Sequence, residues 1–123
     1  MRLIAKGLGV SKGGVQGRVK IIKSVKDYAK LKKGDILVTR LTDPTMTAIM
    51  GRAAGIICDI GGLTSHPSVL SREMGIPCIV SAKGIITGKP ITELLKEGQE
   101  IEMNGENGEI FLKDESWNLR WKL

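Results

Sequence analysis

The chain has 123 residues, 41% of them apolar and 26% charged, a soluble globular composition that excludes a disordered tract and suffices for one core but not two. Its formal net charge is +6, but with one Tyr, one Phe and two Trp it offers no stacking platform for single-stranded nucleic acid. No apolar run is long enough to cross a membrane, and MRLIAKGLGV shows neither a signal-peptide core nor a cleavage site.

The charge is uneven. Residues 1–40 hold eleven Lys and Arg against two Asp and Glu, and residues 91–123 hold four against eight. A basic front of this kind is read as an ordinary solvated face in preference to a docking surface for nucleic acid or an acidic partner. Cys58 and Cys78 each lie inside an apolar run, as buried strand thiols do, so the expected compartment is cytoplasmic.

In chain order, RLIAK (residues 2–6) and VQGRVKIIK (15–23) read as strands separated by a turn. The GVSKGG between them, with Lys12, Gly13 and Gly14, lacks the full phosphate-loop spacing and is taken as a plain turn. Ser24 to Leu31 reads as a short helix and Asp35 to Thr39 as a buried strand. Asp43 and Pro44 are a good cap and first residue for a helix to about Ala53, with capping the preferred role for Asp43. Ile56–Ile60 and Ile76–Ser81 read as strands on either side of a helix. Strand, helix, strand, helix, strand is the order of crossovers packed on one sheet. A loop, one or two helical turns over Ile91–Lys96, and strands at Glu100–Met103 and Glu109–Leu112 follow. The final DESWNLRWKL, with Trp117 and Trp121 four apart, reads as a helix over the core or an exposed contact.

The stretch GGLTSHPSVLSREMGIP, Gly61 to Pro77, places the only histidine in a first helical turn. Gly61 and Gly62 free the backbone to turn, Thr64 or Ser65 offers a capping oxygen, Pro67 suits the first turn, and Gly75 with Pro77 ends the helix. Unpaired N–H groups and the positive end of the helix dipole favour an anion there and disfavour the imidazolium. A neutral, nucleophilic His66 beside an anion site suggests phosphoryl transfer. Cys58, Asp59, His66 and Cys78 contain no pair at metal-ligand spacing, so no metal site is expected.

GDILVTRLTDP, GGLTSHPSVLSREMGIPCIV and EGQEIEMNGENGEI together resemble the mobile phosphohistidine domain of phosphoenolpyruvate-utilising enzymes, over residues 34–112. The resemblance implies one α/β domain over residues 1–123, a swivelling β/β/α three-layer domain. His66 would accept the phosphoryl group, with Gly61, Gly62, Thr64 and Ser65 around its oxygens and Thr42 near the loop. Arg72, two turns along, is expected to be a salt-bridge or structural residue. Thr64 also occupies the place of the dikinase branch's regulatory threonine. Pro67 departs from the small residue usual in the family and removes one N–H. The implied activity is that of a phosphocarrier domain or subunit of a phosphotransferase, either stand-alone and working in trans or a fragment of a longer protein, taking its group from ATP or phosphoenolpyruvate and passing it to a small acceptor such as pyruvate. It would need an ATP-grasp-like nucleotide-binding subunit, a phosphoenolpyruvate/pyruvate-binding barrel subunit, or both. Mg²⁺ and the donor would sit at the partner's site, with no cofactor on this chain. The alternative is a non-catalytic adaptor of the same fold that docks a nucleotide-binding partner.

Overall fold

A computed structural model describes residues 1–113; the expectation for Trp117 and Trp121 lies outside the described residues. Seven strands close into a mixed barrel in the order β1-β5-β4-β3-β2-β6-β7, with β7 paired back to β1. They are β1 (Arg2–Ser11), β2 (Gly14–Ile21), β3 (Ile36–Thr39), β4 (Gly55–Cys58), β5 (Cys78–Gly84), β6 (Glu100–Asn104) and β7 (Glu109–Leu112). The pairs β2–β3, β3–β4 and β4–β5 are parallel. Those made by β1 with β5 and β7, and by β6 with β2 and β7, are antiparallel.

The parallel part follows from the alternation of strands and helices between Asp35 and Ser81. Its closure through β1 is a difference from the strand expected over residues 2–6, for β1 continues to Ser11. Gly7 and Gly9 make the extension possible: a Cβ on Gly7 would lie 2.6 Å from the Val80 carbonyl oxygen, and one on Gly9 would meet that of Gly105.

Two apolar clusters divide the strand residues by parity, as a pleated sheet requires, except that a bulge in β5 puts Ala82 with Ile79. One takes members from all seven strands, including Ala5, Val19, Val38, Ile57, Ile79, Ile101 and Ile110, and so fills the barrel. Ile91 and Leu95, from α3 (Ile91–Leu94) and the residue after it, join this interior. The other sits on the opposite face of β3, β4 and β5, where Leu37, Ile56, Cys58 and Val80 meet Met46, Ile49, Met50 and Leu70 from the helical segments.

Those segments are tighter than expected. The Ser24–Leu31 helix is a 3₁₀ helix, Val25–Lys30. The one expected from Pro44 to Ala53 is a 3₁₀ turn, Pro44–Met46, followed by the single-turn α1 (Thr47–Met50). Only α2 (His66–Met74) runs for nine residues, and it ends at Gly75, whose φ of 70° is left-handed. Strand β4 stops at Cys58, two residues short of Ile60, and leaves Asp59 to Ser65 as the loop that delivers α2.

Candidate functional site

His66 is the first residue of α2, after Ser65 in extended geometry and before Pro67. The ring is half-buried, and its Nδ1 lies 2.8 Å from the hydroxyl of Thr42, itself 1% exposed. Thr42 comes from the loop between β3 and the 3₁₀ turn, so the ring is anchored by an element other than its own. Among the described residues Nε2 makes no hydrogen bond. A proton on Nδ1, donated to Thr42 Oγ1, leaves the Nε2 lone pair available.

The start of α2 is only partly satisfied. The first helical bond runs from the Val69 N–H to the Ser65 carbonyl at 3.0 Å. Pro67 has no N–H, and those of His66 and Ser68 find no partner among the described residues, the orphan donors expected of a helix start. The expected cap by Thr64 or Ser65 does not form. Ser65 occupies the cap position, but its hydroxyl donates to the Gly62 carbonyl at 2.8 Å and lies 3.1 Å from that of Ser68. The hydroxyl thus serves as a donor to the loop carbonyl, and no helix N–H donates to its oxygen. Thr64 is exposed, and its hydroxyl makes no hydrogen bond among the described residues.

Gly61 and Gly62 differ in what they require. Gly61 has a φ of 128°, and a Cβ there would lie 2.9 Å from Ser65 Oγ, so the loop itself demands glycine. At Gly62 a Cβ would meet nothing within 4 Å, and its φ is not positive. Open space in front of a glycine is room for something outside the chain. Arg72 is structural and makes no salt bridge among the described residues. Its guanidinium donates to the carbonyls of Leu63 at 2.7 Å and Val10 at 3.2 Å, tying the loop to the end of β1.

Asp43 keeps the capping role. Its carboxylate accepts the Thr45 N–H at 2.8 Å and the Thr45 hydroxyl as well. Those bonds, aided by the nearby His66, hold its pKa below the usual 3.8. Asp43, Arg40, Tyr28 and Asp59 line a groove of about 740 Å³ that opens next to Thr42. Cys58 and Cys78 are fully buried free thiols. Burial is the main cause that raises both, Cys58 well above the thiol range and Cys78 to about 11, with Ser71 and Arg72 opposing at Cys78. Lys12 and Gly13 form the β1–β2 turn, in which Gly13 has a φ of 130°, and Gly14 opens β2. Reading by motif missed Ser68 and Ser81, whose hydroxyls reach the loop carbonyls; isolated serines in a helix and a strand carry no pattern that could have singled them out.

Residues 31–108 match the family model described as the mobile domain of PEP-utilising enzymes. The chain belongs to this family. It is 47% identical over 109 residues to a probable phosphoenolpyruvate synthase of Methanothermobacter thermautotrophicus, covering 89% of this chain and 15% of the relative. It is 40% identical over 104 residues to a rifampicin phosphotransferase of Bacillus cereus, covering 85% of this chain and 11% of that one. A solution structure of an Enzyme I protein superimposes with a TM-score of 0.56 at 26% identity, over 77% of this chain and 37% of that one. This mobile domain thus spans a small fraction of its relatives' length, and in them it is accompanied by much larger protein. No helix among the described residues is long and apolar enough to cross a membrane.

Proposed function

We propose that His66 is the phosphoryl-accepting residue of a mobile phosphocarrier domain. The observation that carries this is the half-buried imidazole at the head of α2, with Nδ1 held by Thr42 and Nε2 without a partner among the described residues. In the reaction the Nε2 lone pair attacks phosphorus of ATP or phosphoenolpyruvate in line. The bond to the leaving oxygen breaks, and phosphohistidine forms. A second attack, by pyruvate or another small acceptor, returns the imidazole. Covalent storage lets the two half-reactions use separate sites, provided the domain swivels or diffuses between them.

The chain's own residues supply orientation and donors. Thr42 fixes the ring, the unpaired N–H groups at the start of α2 face the developing charge, and Gly61, Gly62, Thr64 and Ser65 border it. The helical segments packed on one outer face, over β3, β4 and β5, support the β/β/α reading of such a carrier. In this reading Mg²⁺ sits with the donor on an ATP-grasp-like or barrel partner, where it neutralises phosphoryl charge.

Labelled ATP or phosphoenolpyruvate, supplied with candidate partner subunits, tests the reading. The expected product is a phosphoryl group stable in base, labile in acid, and absent from His66→Ala. Label retained by that variant, or found only on Thr64, overturns it. The second reading, an adaptor in which His66 no longer reacts, is favoured by Pro67, which takes one N–H from the anion site. Equal partner binding by wild type and His66→Ala, with no phosphoenzyme under any donor, would select it.

A further inference from the structure

Three serine hydroxyls converge on two successive carbonyls of the loop that leads into α2. Ser81, on β5, donates to the Gly61 carbonyl at 2.7 Å. Ser65 and Ser68 approach the Gly62 carbonyl at 2.8 and 2.6 Å and each other at 3.1 Å. The pair has two protons for three contacts, so at least one hydroxyl always donates to Gly62. The Ser65 N–H points at the same oxygen, at 3.1 Å. Ser68 is fully buried, so water does not compete for its hydroxyl.

None of the described peptide bonds is cis. In a trans peptide the carbonyl and the following N–H point in opposite directions. Holding the Gly61 and Gly62 carbonyls toward the serines therefore turns the N–H groups of Gly62 and Leu63 the other way. Neither N–H has a partner among the described residues. Successive unpaired N–H groups in a turn make a concavity for anions, and these two belong to the residues four and three places before His66.

We propose that Ser65, Ser68 and Ser81 are positioning residues, which orient the Gly62 and Leu63 N–H groups toward the phosphoryl group carried by His66. The proposal rests on the phosphocarrier reading. Ser81 is the telling member. Its φ of 51° makes it the one non-glycine residue in the left-handed region among those described, a conformation that serine adopts less readily than glycine. It is exposed, and it lies at the bulge where Lys6 and Leu8 of β1 face Lys83 and Val80 of β5, which accounts for its backbone but not for its side chain. What serine supplies there and glycine does not is the hydroxyl on Gly61.

Ser81→Gly separates the two effects, because it relieves the backbone while removing the hydroxyl. Ser81→Asn keeps a donor and tolerates the left-handed region. Phosphoramidate serves as the probe: it loses ammonia as its phosphoryl group moves to nitrogen, and the chain offers a single histidine. Ser81→Gly is expected to melt at or above the wild-type temperature, yet to form phosphohistidine several-fold more slowly. Its Gly62 and Leu63 amide signals should shift and exchange faster, and Ser81→Asn should recover both properties. Ser68→Ala should also slow transfer. Wild-type transfer rates and unmoved amide signals in Ser81→Gly overturn the positioning role. If wild type takes no phosphoryl group at all, the phosphocarrier reading and this role fall together. Amide signals that still respond to Ser81→Gly would then show that the clamp is structural only.

Discussion

Thr42 is almost wholly buried, and its hydroxyl is 2.8 Å from the imidazole of His66. Valine has nearly the same shape and lacks the oxygen, so Thr42→Val isolates that contact. A hydrogen bond of this kind contributes about 0.5–1.5 kcal/mol net, which corresponds to roughly two- to tenfold in rate if it holds the reactive tautomer. Phosphohistidine formation by Thr42→Val should fall by that factor while the melting temperature changes little, because the half-buried Nδ1 can turn to water. Asp43 yields a pH prediction. Its carboxyl is held below 3.8 by the Thr45 bonds, so the native state favours the ionised form. The stability gained is therefore present above pH 3.8 and disappears as the pH falls through the lower native value. Asp43→Asn should remove that part of the acid dependence of the melting temperature and leave the neutral-pH slope unchanged. The thiols give the opposite sign. Cys78 at about 11 and Cys58 higher still should resist a thiol reagent at pH 8 until the protein unfolds. Of these residues, His66 was legible from its motif, and Thr42 was suggested only by the family's Thr-Asp-Pro stretch. The serine contacts were not legible, since they depend on where a turn brings two carbonyls.

Helix α2 was legible as an element because its start and stop are written locally: a proline in the first turn, and Gly75. The last of these can be tested on its own. Gly75 has a φ of 70°, and a Cβ there meets no neighbouring atom within 4 Å. Any cost of Gly75→Ala is therefore conformational, about 1–2 kcal/mol for a left-handed L-residue. Chemical denaturation should show that loss with an unchanged m-value, and phosphoryl acceptance at His66, at the other end of the helix, should persist. The segments after Ser24 and Pro44 were less legible. Their caps are real, for Asp27 accepts the N–H groups of Lys23 and Ser24 as Asp43 accepts that of Thr45. Capping chemistry, however, marks where a helix begins and says nothing of its pitch. With so few residues before the next strand, the chain closes 3₁₀ turns in place of a longer α-helix.

The barrel as a whole is a non-local object. Strand β1 is paired with β5 and β7, and β2 with β6, so the ends of the described chain lie side by side. Continuous apolar runs revealed that β3, β4 and β5 were strands, but no local pattern could show that the sheet closes. The evidence for closure is spread over glycines that lie opposite one another in space and far apart in sequence. A Cβ on Gly9 would collide with the Gly105 carbonyl, and one on Gly105 with that of Ser11. Both obstacles are backbone atoms, which cannot rotate away as a side-chain tip would. Gly105→Ala should therefore force β1 and the β6–β7 turn apart, at a cost of about 1–3 kcal/mol or more. Gly14→Ala, at the β2 end of the same seam, finds its nearest neighbour at 3.9 Å and should cost far less. Because β1 also borders β5, next to the strand that delivers the His66 loop, opening the seam should loosen both apolar clusters together. Urea unfolding of Gly105→Ala should remain a single transition at a lower midpoint. Two separated transitions would mean that the barrel interior and the helix-covered face are independent units.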